Sequence, residues 1–140
     1  MQIGTHEVDF EPPDLITIRV KGDVLEGDAD LLCTFCERCC EGLVRNFVIA
    51  DLTQLGVFPS GVRKRLALRM RELPNEGTVV IGASFTARIL MQCLIQAMQL
   101  AMRRQATTVF VDDEAAARTW IAKRRAHFAV QEAKVLEAKG

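Results

Sequence analysis

Apolar and polar residues alternate along the first part of the chain, and continuous apolar runs replace this alternation later. The stretches 2–10 (QIGTHEVDF) and 15–20 (LITIRV) alternate with a period of two, and the turn-forming sequence EPPD lies between them. These two stretches predict an N-terminal hairpin. The runs at 46–52, 77–84 and 107–111 are apolar almost throughout, which is typical of strands that are covered on both faces of a sheet.

Helical patterns alternate with these strands. Asp28 or Asp30 is placed to cap a first helix, which contains four cysteines, and Ser60 is placed to cap a second one. A long third helix leads to residue 104, and a fourth begins near residue 112. Most of the strands are therefore followed by a helix that can cross back over the sheet.

The order of elements, β-β-α-β-α-β-α-β-α, predicts an α/β fold: a single mixed, largely parallel five-stranded sheet with four helices on its faces. The chain has 140 residues, of which 49% are hydrophobic, so one domain can bury a core without a metal ion or a disulfide. We expect a single domain over residues 1–140, in which residues 126–140 form a helical extension or tail.

The charges are unevenly distributed, although the net charge is zero. Residues 1–60 carry four basic and eleven acidic side chains, whereas residues 61–140 carry fourteen and seven. We interpret this as two faces of one domain, of which the basic face either is simply solvated or attracts phosphates or an acidic partner. The longest apolar stretch, 89–102, contains glutamines and is shorter than the roughly 20 residues of a membrane span. We expect a cytoplasmic protein with no membrane span.

Four cysteines lie between residues 33 and 40, and three interpretations of them are open. On a helix, Cys39 is expected at the centre of the buried face, with Cys33, Cys36 and Cys40 at its edge. Cys33 and Cys40 are then about 10 Å apart along the axis, whereas zinc requires sulfurs about 4 Å apart. The thiols are therefore core side chains, a redox-responsive site centred on Cys33, or part of a metal site, and we expect no metal and no cofactor.

The long third helix carries more apolar surface than one sheet can cover. Its polar stripe is narrow, and the surplus apolar side chains have three possible uses: packing on a neighbouring helix, a homodimer contact, or the binding of a small apolar, lipid-like ligand. The homodimer is our favoured prediction. The side chains of this possible dimer or ligand face are Met91, Ile95, Met98 and Met102.

The sequence contains no pattern that indicates catalysis or the recognition of nucleic acid. It has neither a G-x-S-x-G motif nor a glycine-rich phosphate loop, and no histidine lies near an identifiable nucleophile and acid. The basic segment 62–71 (VRKRLALRMR) distributes its cations around the helix without exposed aromatic residues between them. We therefore predict a protein that is not an enzyme and does not bind nucleic acid.

The segment 48–66 (VIADLTQLGVFPSGVRKRL) resembles the STAS domains, the SpoIIAA-like anti-sigma-factor antagonists, and in particular a divergent branch related to the CRAL-TRIO lipid-binding fold. In those domains a buried strand ends in Asp-Leu and a Ser-Gly pair follows at the start of a helix. Asp51, Leu52, Ser60 and Gly61 match this pattern. The later segments GASFTARIL and TTVFVDDEAAARTWI resemble the closing strands and helices of the divergent branch.

The resemblance implies a regulatory module that acts through protein contact in signalling. In antagonist members a partner kinase phosphorylates the serine before the glycine, a role that would fall on Ser60 here. Asp51, Gly61, Arg63 and Lys64 would then be neighbours of the switch site, and the two cations lie close enough to favour a phosphate. The alternative for Ser60 is a plain helix cap. The alternatives for the whole protein are the binding of an apolar ligand or, less favoured, a thiol redox sensor.

Overall fold

The computed structural model describes residues 1–82, 84, 88–89, 92–93, 96 and 107–139. These residues form one mixed sheet with helices on both of its faces. The strands are β1 (Gln2–Ile3), β2 (His6–Glu11), β3 (Leu15–Gly22), β4 (Asn46–Leu55), β5 (Asn75–Ile81) and β6 (Thr107–Val111). The helices are α1 (Glu26–Cys39), α2 (Ser60–Met70) and α3 (Glu114–Lys139).

The six strands follow one another across the sheet in chain order. β1, β2 and β3 are antiparallel neighbours, whereas β3, β4, β5 and β6 run parallel. The predicted class of fold is thus confirmed, but the described residues form six strands rather than the predicted five. A turn at Gly4, whose φ is 58°, divides the first predicted strand into β1 and β2. The predicted third helix falls largely outside the described residues.

The direction of the parallel crossovers decides which face each helix covers. β3–α1–β4 and β4–α2–β5 advance across the sheet in the same direction, and right-handed crossovers therefore place α1 and α2 on the same face. Their side chains share a core with Val20, Ala50 and Val80. The alternate strand residues, among them Phe47 and Val79, face the other way and pack against α3.

The helix α3 contacts the sheet along its first half and extends away from it along its second half. Ala117 and Ile121 are buried against β4 and β5. From residue 129 to residue 139 every side chain is exposed. Arg45 binds Glu132 at 2.5 Å and so ties the start of this exposed segment to the domain. No helix in the described part of the chain is long and apolar enough to cross a membrane.

Candidate functional site

Two loops meet at the carboxyl ends of β3 and β4. The loop from β3 to α1 and the loop from β4 to α2 are joined by backbone hydrogen bonds from Gly56 N to Gly22 O (2.8 Å) and from Val24 N to Val57 O (2.9 Å). The carboxylate of Asp23 also accepts a hydrogen bond from Val57 N at 2.7 Å. In open α/β sheets, ligands bind outside the carboxyl ends of the strands. The joined loops are therefore a candidate binding site.

Close packing between the loops explains why residue 56 is a glycine. A Cβ atom at this position would lie 2.3 Å from a carboxylate oxygen of Asp23 and 2.9 Å from the carbonyl carbon of Gly22. Neither distance is compatible with a side chain, and the second involves backbone that cannot move aside alone. The two loops are therefore held together as one unit.

Two apolar side chains are exposed on this unit. Leu25 and Val57 are each 62% exposed, although their backbones are held by hydrogen bonds. Leu25 N donates to the carboxylate of Asp28 at 3.3 Å, and Val57 N donates to Asp23. Apolar side chains that are exposed together mark contact sites, whereas single exposed ones are ordinary on a protein surface. We define the edge surface by the exposed residues Leu25, Val57, Ser60, Gly61 and Lys64.

The helix α2 begins at Ser60, and the N-cap position belongs to Pro59. The prediction that Ser60 caps the helix is therefore wrong by one residue. The extended backbone of Pro59, with φ −60° and ψ 148°, suits the residue before a helix, although proline has no side-chain acceptor for a cap bond. The Ser60 side chain is exposed in the first helical turn, where free backbone N–H groups favour an anion.

The cations near Ser60 differ in how far they are available to a ligand. The guanidinium group of Arg63 donates to the carbonyl oxygen of Phe58 at 2.6 Å and is half-buried. Lys64 is exposed and lies one helical turn beyond Ser60. Lys64 is therefore the better placed of the two for contact with a phosphate on Ser60, and Arg63 holds the loop before α2.

The structure does not bring Asp51 together with Ser60. Its chain neighbours Ala50 and Leu52 belong to the core beneath α1 and α2, so the Asp51 side chain points to the opposite face of the sheet. There its carboxylate accepts hydrogen bonds from the backbone N–H and the hydroxyl of Thr53, at 3.0 and 2.7 Å. The expectation that Asp51 is a neighbour of the switch site is wrong for this reason.

Asp51 instead lines a polar groove of about 270 Å³ beside the start of α3. Across this groove Arg118 makes two hydrogen bonds to Glu11, at 2.8 and 2.7 Å, and this contact lowers the pKa of Glu11. These bonds tie α3 to β2. The other charged side chains that line the groove are Glu7, Asp9, Arg19 and Glu114.

The cysteine helix is rotated from its predicted orientation. Cys33, Cys36 and Cys40 are buried against the sheet, whereas Cys39 is only half-buried. The larger side chain of Leu31 is 55% exposed. Small side chains let the helix backbone approach the sheet closely, and Ala29 completes the buried stripe at helical spacing.

Burial also argues against a redox-responsive Cys33, which is one of the three interpretations that the sequence leaves open. Removal from water raises the pKa of Cys33 to about 11 and that of Cys40 to about 11, and it also raises the pKa of Cys36. A high pKa disfavours the thiolate that redox chemistry requires. Within the described residues no group of three or more potential metal ligands is close enough to hold an ion.

Thiol labelling of the native protein should therefore separate the cysteines into two groups. We expect iodoacetamide to modify Cys39 and the exposed Cys93. Cys33, Cys36 and Cys40 should react only after unfolding, because each is at most 7% exposed. Mass spectrometry of peptides after timed labelling measures this order. Early modification of Cys33 in folded protein would show that the described orientation of α1 is incorrect.

The possible dimer or ligand face lies outside the described residues. It consists of Met91, Ile95, Met98 and Met102, and its three possible uses stay predictions. Sedimentation of the wild-type protein and of Met98→Glu tests the homodimer, since a carboxylate at the contact should produce a folded monomer.

The sequence analysis did not single out Leu25 and Val57 of the edge surface, nor Asp23, which holds the backbone of Val57. The available signal was the glycine beside each loop, at positions 22 and 56, because such glycines mark places where backbones turn or approach closely. That signal does not say which loops meet. Contact between them depends on β3 and β4 being parallel neighbours.

The topology of this chain is similar to a SpoIIAA-like fold that is known from a crystal structure. A crystal structure of an uncharacterized DUF3478-family protein with a SpoIIAA-like fold, from Shewanella loihica, superposes on this chain with a TM-score of 0.57. The sequence identity is 15%, and the match covers 82% of this chain and 90% of that chain. No protein-family model and no curated protein matches the sequence. The predicted STAS-like fold is confirmed, and the relation to the CRAL-TRIO fold stays a prediction.

Proposed function

We propose that the protein is a non-catalytic regulatory module that binds a protein partner through the edge surface. The observation that carries this proposal is the pair Leu25 and Val57, each 62% exposed on loops that are hydrogen-bonded to each other. A fixed apolar pair loses little conformational freedom on binding, so its burial by a partner is favourable. The exposed polar residues beside the pair resemble the polar rim of a protein interface.

Phosphorylation of Ser60 would regulate this contact. The hydroxyl group is exposed in the first turn of α2, where a phosphate gains from backbone N–H groups and from the nearby Lys64. A phosphate also brings close to two negative charges to the apolar pair, and a partner that buries the pair would have to desolvate them. The resemblance to anti-sigma-factor antagonists supports the same effect of phosphorylation, because in those proteins the unphosphorylated form binds the partner.

Pull-down experiments from the native cell test this proposal. Wild-type protein and Ser60→Ala should retain a common partner, whereas Val57→Asp and Ser60→Asp should lose it. The matched control is Val44→Asp, because Val44 is also apolar and exposed (80%) but precedes β4, at the opposite end of the strand. Val44→Asp should retain the partner.

Two results would contradict the proposal. If Val57→Asp retains every protein that the wild type retains, the edge surface is not the binding site. If Val57→Asp loses the partner but Ser60→Asp does not, the binding site stands and regulation through Ser60 fails. Circular dichroism of each variant confirms that the comparison is made between folded proteins.

A further inference from the structure

A buried histidine lies beneath the edge surface. His6 is only 5% exposed, and both of its ring nitrogens have partners. Nδ1 accepts a hydrogen bond from the backbone N–H of Lys21 at 2.9 Å, so this nitrogen carries no proton. The proton is therefore on Nε2, which lies 3.1 Å from the carbonyl oxygen of Asp23 and donates to it. The carboxylate of Asp28 is 3.5 Å from the same nitrogen.

These partners of His6 are also the residues that hold the edge surface. The chain from Lys21 to Asp23 contacts His6 on one side, and on the other side it binds the β4–α2 loop through Gly22 O and the Asp23 carboxylate. Asp28 lies beside His6 and accepts the hydrogen bond from Leu25 N. Both exposed apolar residues of the edge surface are thus one hydrogen bond from a neighbour of His6.

Two glycines leave room for the carboxylates of Asp28 and Asp23. A Cβ atom on Gly4 would lie 2.6 Å from a carboxylate oxygen of Asp28, and one on Gly56 would lie 2.3 Å from Asp23. A side chain at either position would therefore displace the carboxylate beside it.

Protonation of His6 is incompatible with this arrangement. A proton on Nδ1 would face the N–H of Lys21, so two donors would meet where a hydrogen bond exists in the neutral form. The carboxylate of Asp28 attracts the resulting cation and favours a turn of the ring toward α1. A cavity of about 20 Å³, enough for about one water molecule, lies beside the ring and is lined by His6, Asp28 and apolar side chains such as Ile3 and Leu32.

Other charged groups around His6 already have partners of their own. The ammonium group of Lys21 binds Glu7 at 2.7 Å, and Arg19 binds Glu7 at 3.2 Å. The carboxylate of Asp23 accepts from Val57 N rather than from the imidazole. In the described part of the chain, Asp28 is therefore the carboxylate positioned to respond to a charge on His6.

We propose that His6 is a buried proton switch that controls the edge surface. The neutral ring holds the β3–α1 loop in place, and protonation releases Lys21 N and moves the segment that binds Val57. A histidine ring gains its second proton on acidification, so the edge surface would respond to a fall in pH. This inference rests on the proposed function for its biological meaning, but the structural coupling is measurable without any partner.

Nuclear magnetic resonance of nitrogen-labelled protein tests the coupling. At about pH 8, long-range proton–nitrogen spectra should show His6 as the Nε2–H tautomer. On titration to about pH 5, the amide signals of Lys21 and Val57 should move with the same midpoint as the His6 ring. The amide hydrogen of Lys21 should also lose about tenfold in exchange protection beyond the intrinsic effect of pH, as expected for one lost hydrogen bond.

The second histidine of the chain supplies the control. His127 is exposed on α3, so His127→Gln should leave the coupled titration unchanged, whereas His6→Gln should abolish it. If His6→Gln does not fold, the coupling is still tested in the wild type and in His127→Gln, by comparing the midpoint of the His6 ring with those of the Lys21 and Val57 amide signals. The proposal is overturned if His6 is the other tautomer or stays neutral until the protein unfolds. It is equally overturned if the amide signal of Val57 does not share the midpoint of the His6 ring, or if that amide signal still shows the same pH dependence in His6→Gln.

The pull-down variants and the titration separate the two proposals. Loss of the coupled titration leaves the protein-binding role of the edge surface intact. Failure of Val57→Asp to change partner binding removes the proposed function but leaves any measured coupling between His6 and the loops.

Discussion

Replacing Phe47 with alanine should lower the free energy of unfolding by about 3–5 kcal/mol. Phe47 is 0% exposed on the central strand β4 and faces α3. Its ring lies 6.2 Å, between centroids, from that of Phe128, the aromatic residue closest to the point where α3 leaves the sheet. The cost has two parts, the lost transfer of the ring from water and the cavity left between sheet and helix.

The same substitution should loosen the end of α3 that contacts the sheet. Two cations, Arg45 and Arg124, lie over the Phe128 ring at 4.6 and 5.0 Å from its centroid, and this cluster rests against Phe47. We expect hydrogen exchange near Phe128 to increase more than exchange in α2, which packs on the other face. Urea unfolding measures the free energy of unfolding. The control is Phe10→Ala, at a half-buried position on β2, for which we expect a clearly smaller loss.

Replacing Gly77 with alanine should destabilise the protein by about 1–3 kcal/mol, and valine by more. A Cβ atom on Gly77 would lie 2.6 and 2.7 Å from two ring atoms of Trp120 and 3.3 Å from Phe47. The indole ring thus packs directly on the backbone of β5. Trp120 must tilt away from the sheet to admit even one methyl group.

The sign of this effect is informative, because alanine usually stabilises a strand relative to glycine by about 0.5–1 kcal/mol. Destabilisation at Gly77 therefore measures the contact with Trp120. The matched control is Gly27→Ala on α1, where a Cβ would meet nothing within 4 Å, and we expect it to raise stability slightly. In a Trp120→Ala background, Gly77→Ala should become nearly harmless. An equal cost in both backgrounds would refute the packing argument.

Both substitutions change the face of the sheet that α3 covers, whereas the edge surface lies on the loops before α1 and α2 and on the first turn of α2. Both substitutions weaken the core beneath α3, and neither of them replaces a residue of the edge surface such as Leu25, Val57 or Ser60. Loss of partner binding in Val57→Asp can therefore be distinguished from a general loss of stability, provided that the unfolding curve of that variant is unchanged.

The sequence alone was sufficient for the class of fold and, apart from the separate strand β1, for the order of the elements that the structure describes. Alternation at 15–20 and the apolar run at 46–52 reflect whether one or both faces of a strand are covered, and this is a local property. The short β1 was not separated from β2, because its two residues leave no periodicity to detect. The helix that begins at Ser60 was placed correctly to within one residue, and only the identity of its N-cap was wrong.

What the tertiary structure decided was the orientation of side chains relative to other elements. The buried arc of α1 follows from where the helix lies on the sheet, so the small residues Cys33 and Cys36 are covered while Leu31 is exposed. Asp51 and Ser60 are nine positions apart in the chain and share a motif, yet they lie on opposite faces of the sheet. Local periodicity indicates that a face is buried, but the neighbours of that face depend on strand order and helix docking. The edge surface and its contact with His6 exist only because β3 and β4 are parallel neighbours whose loops meet.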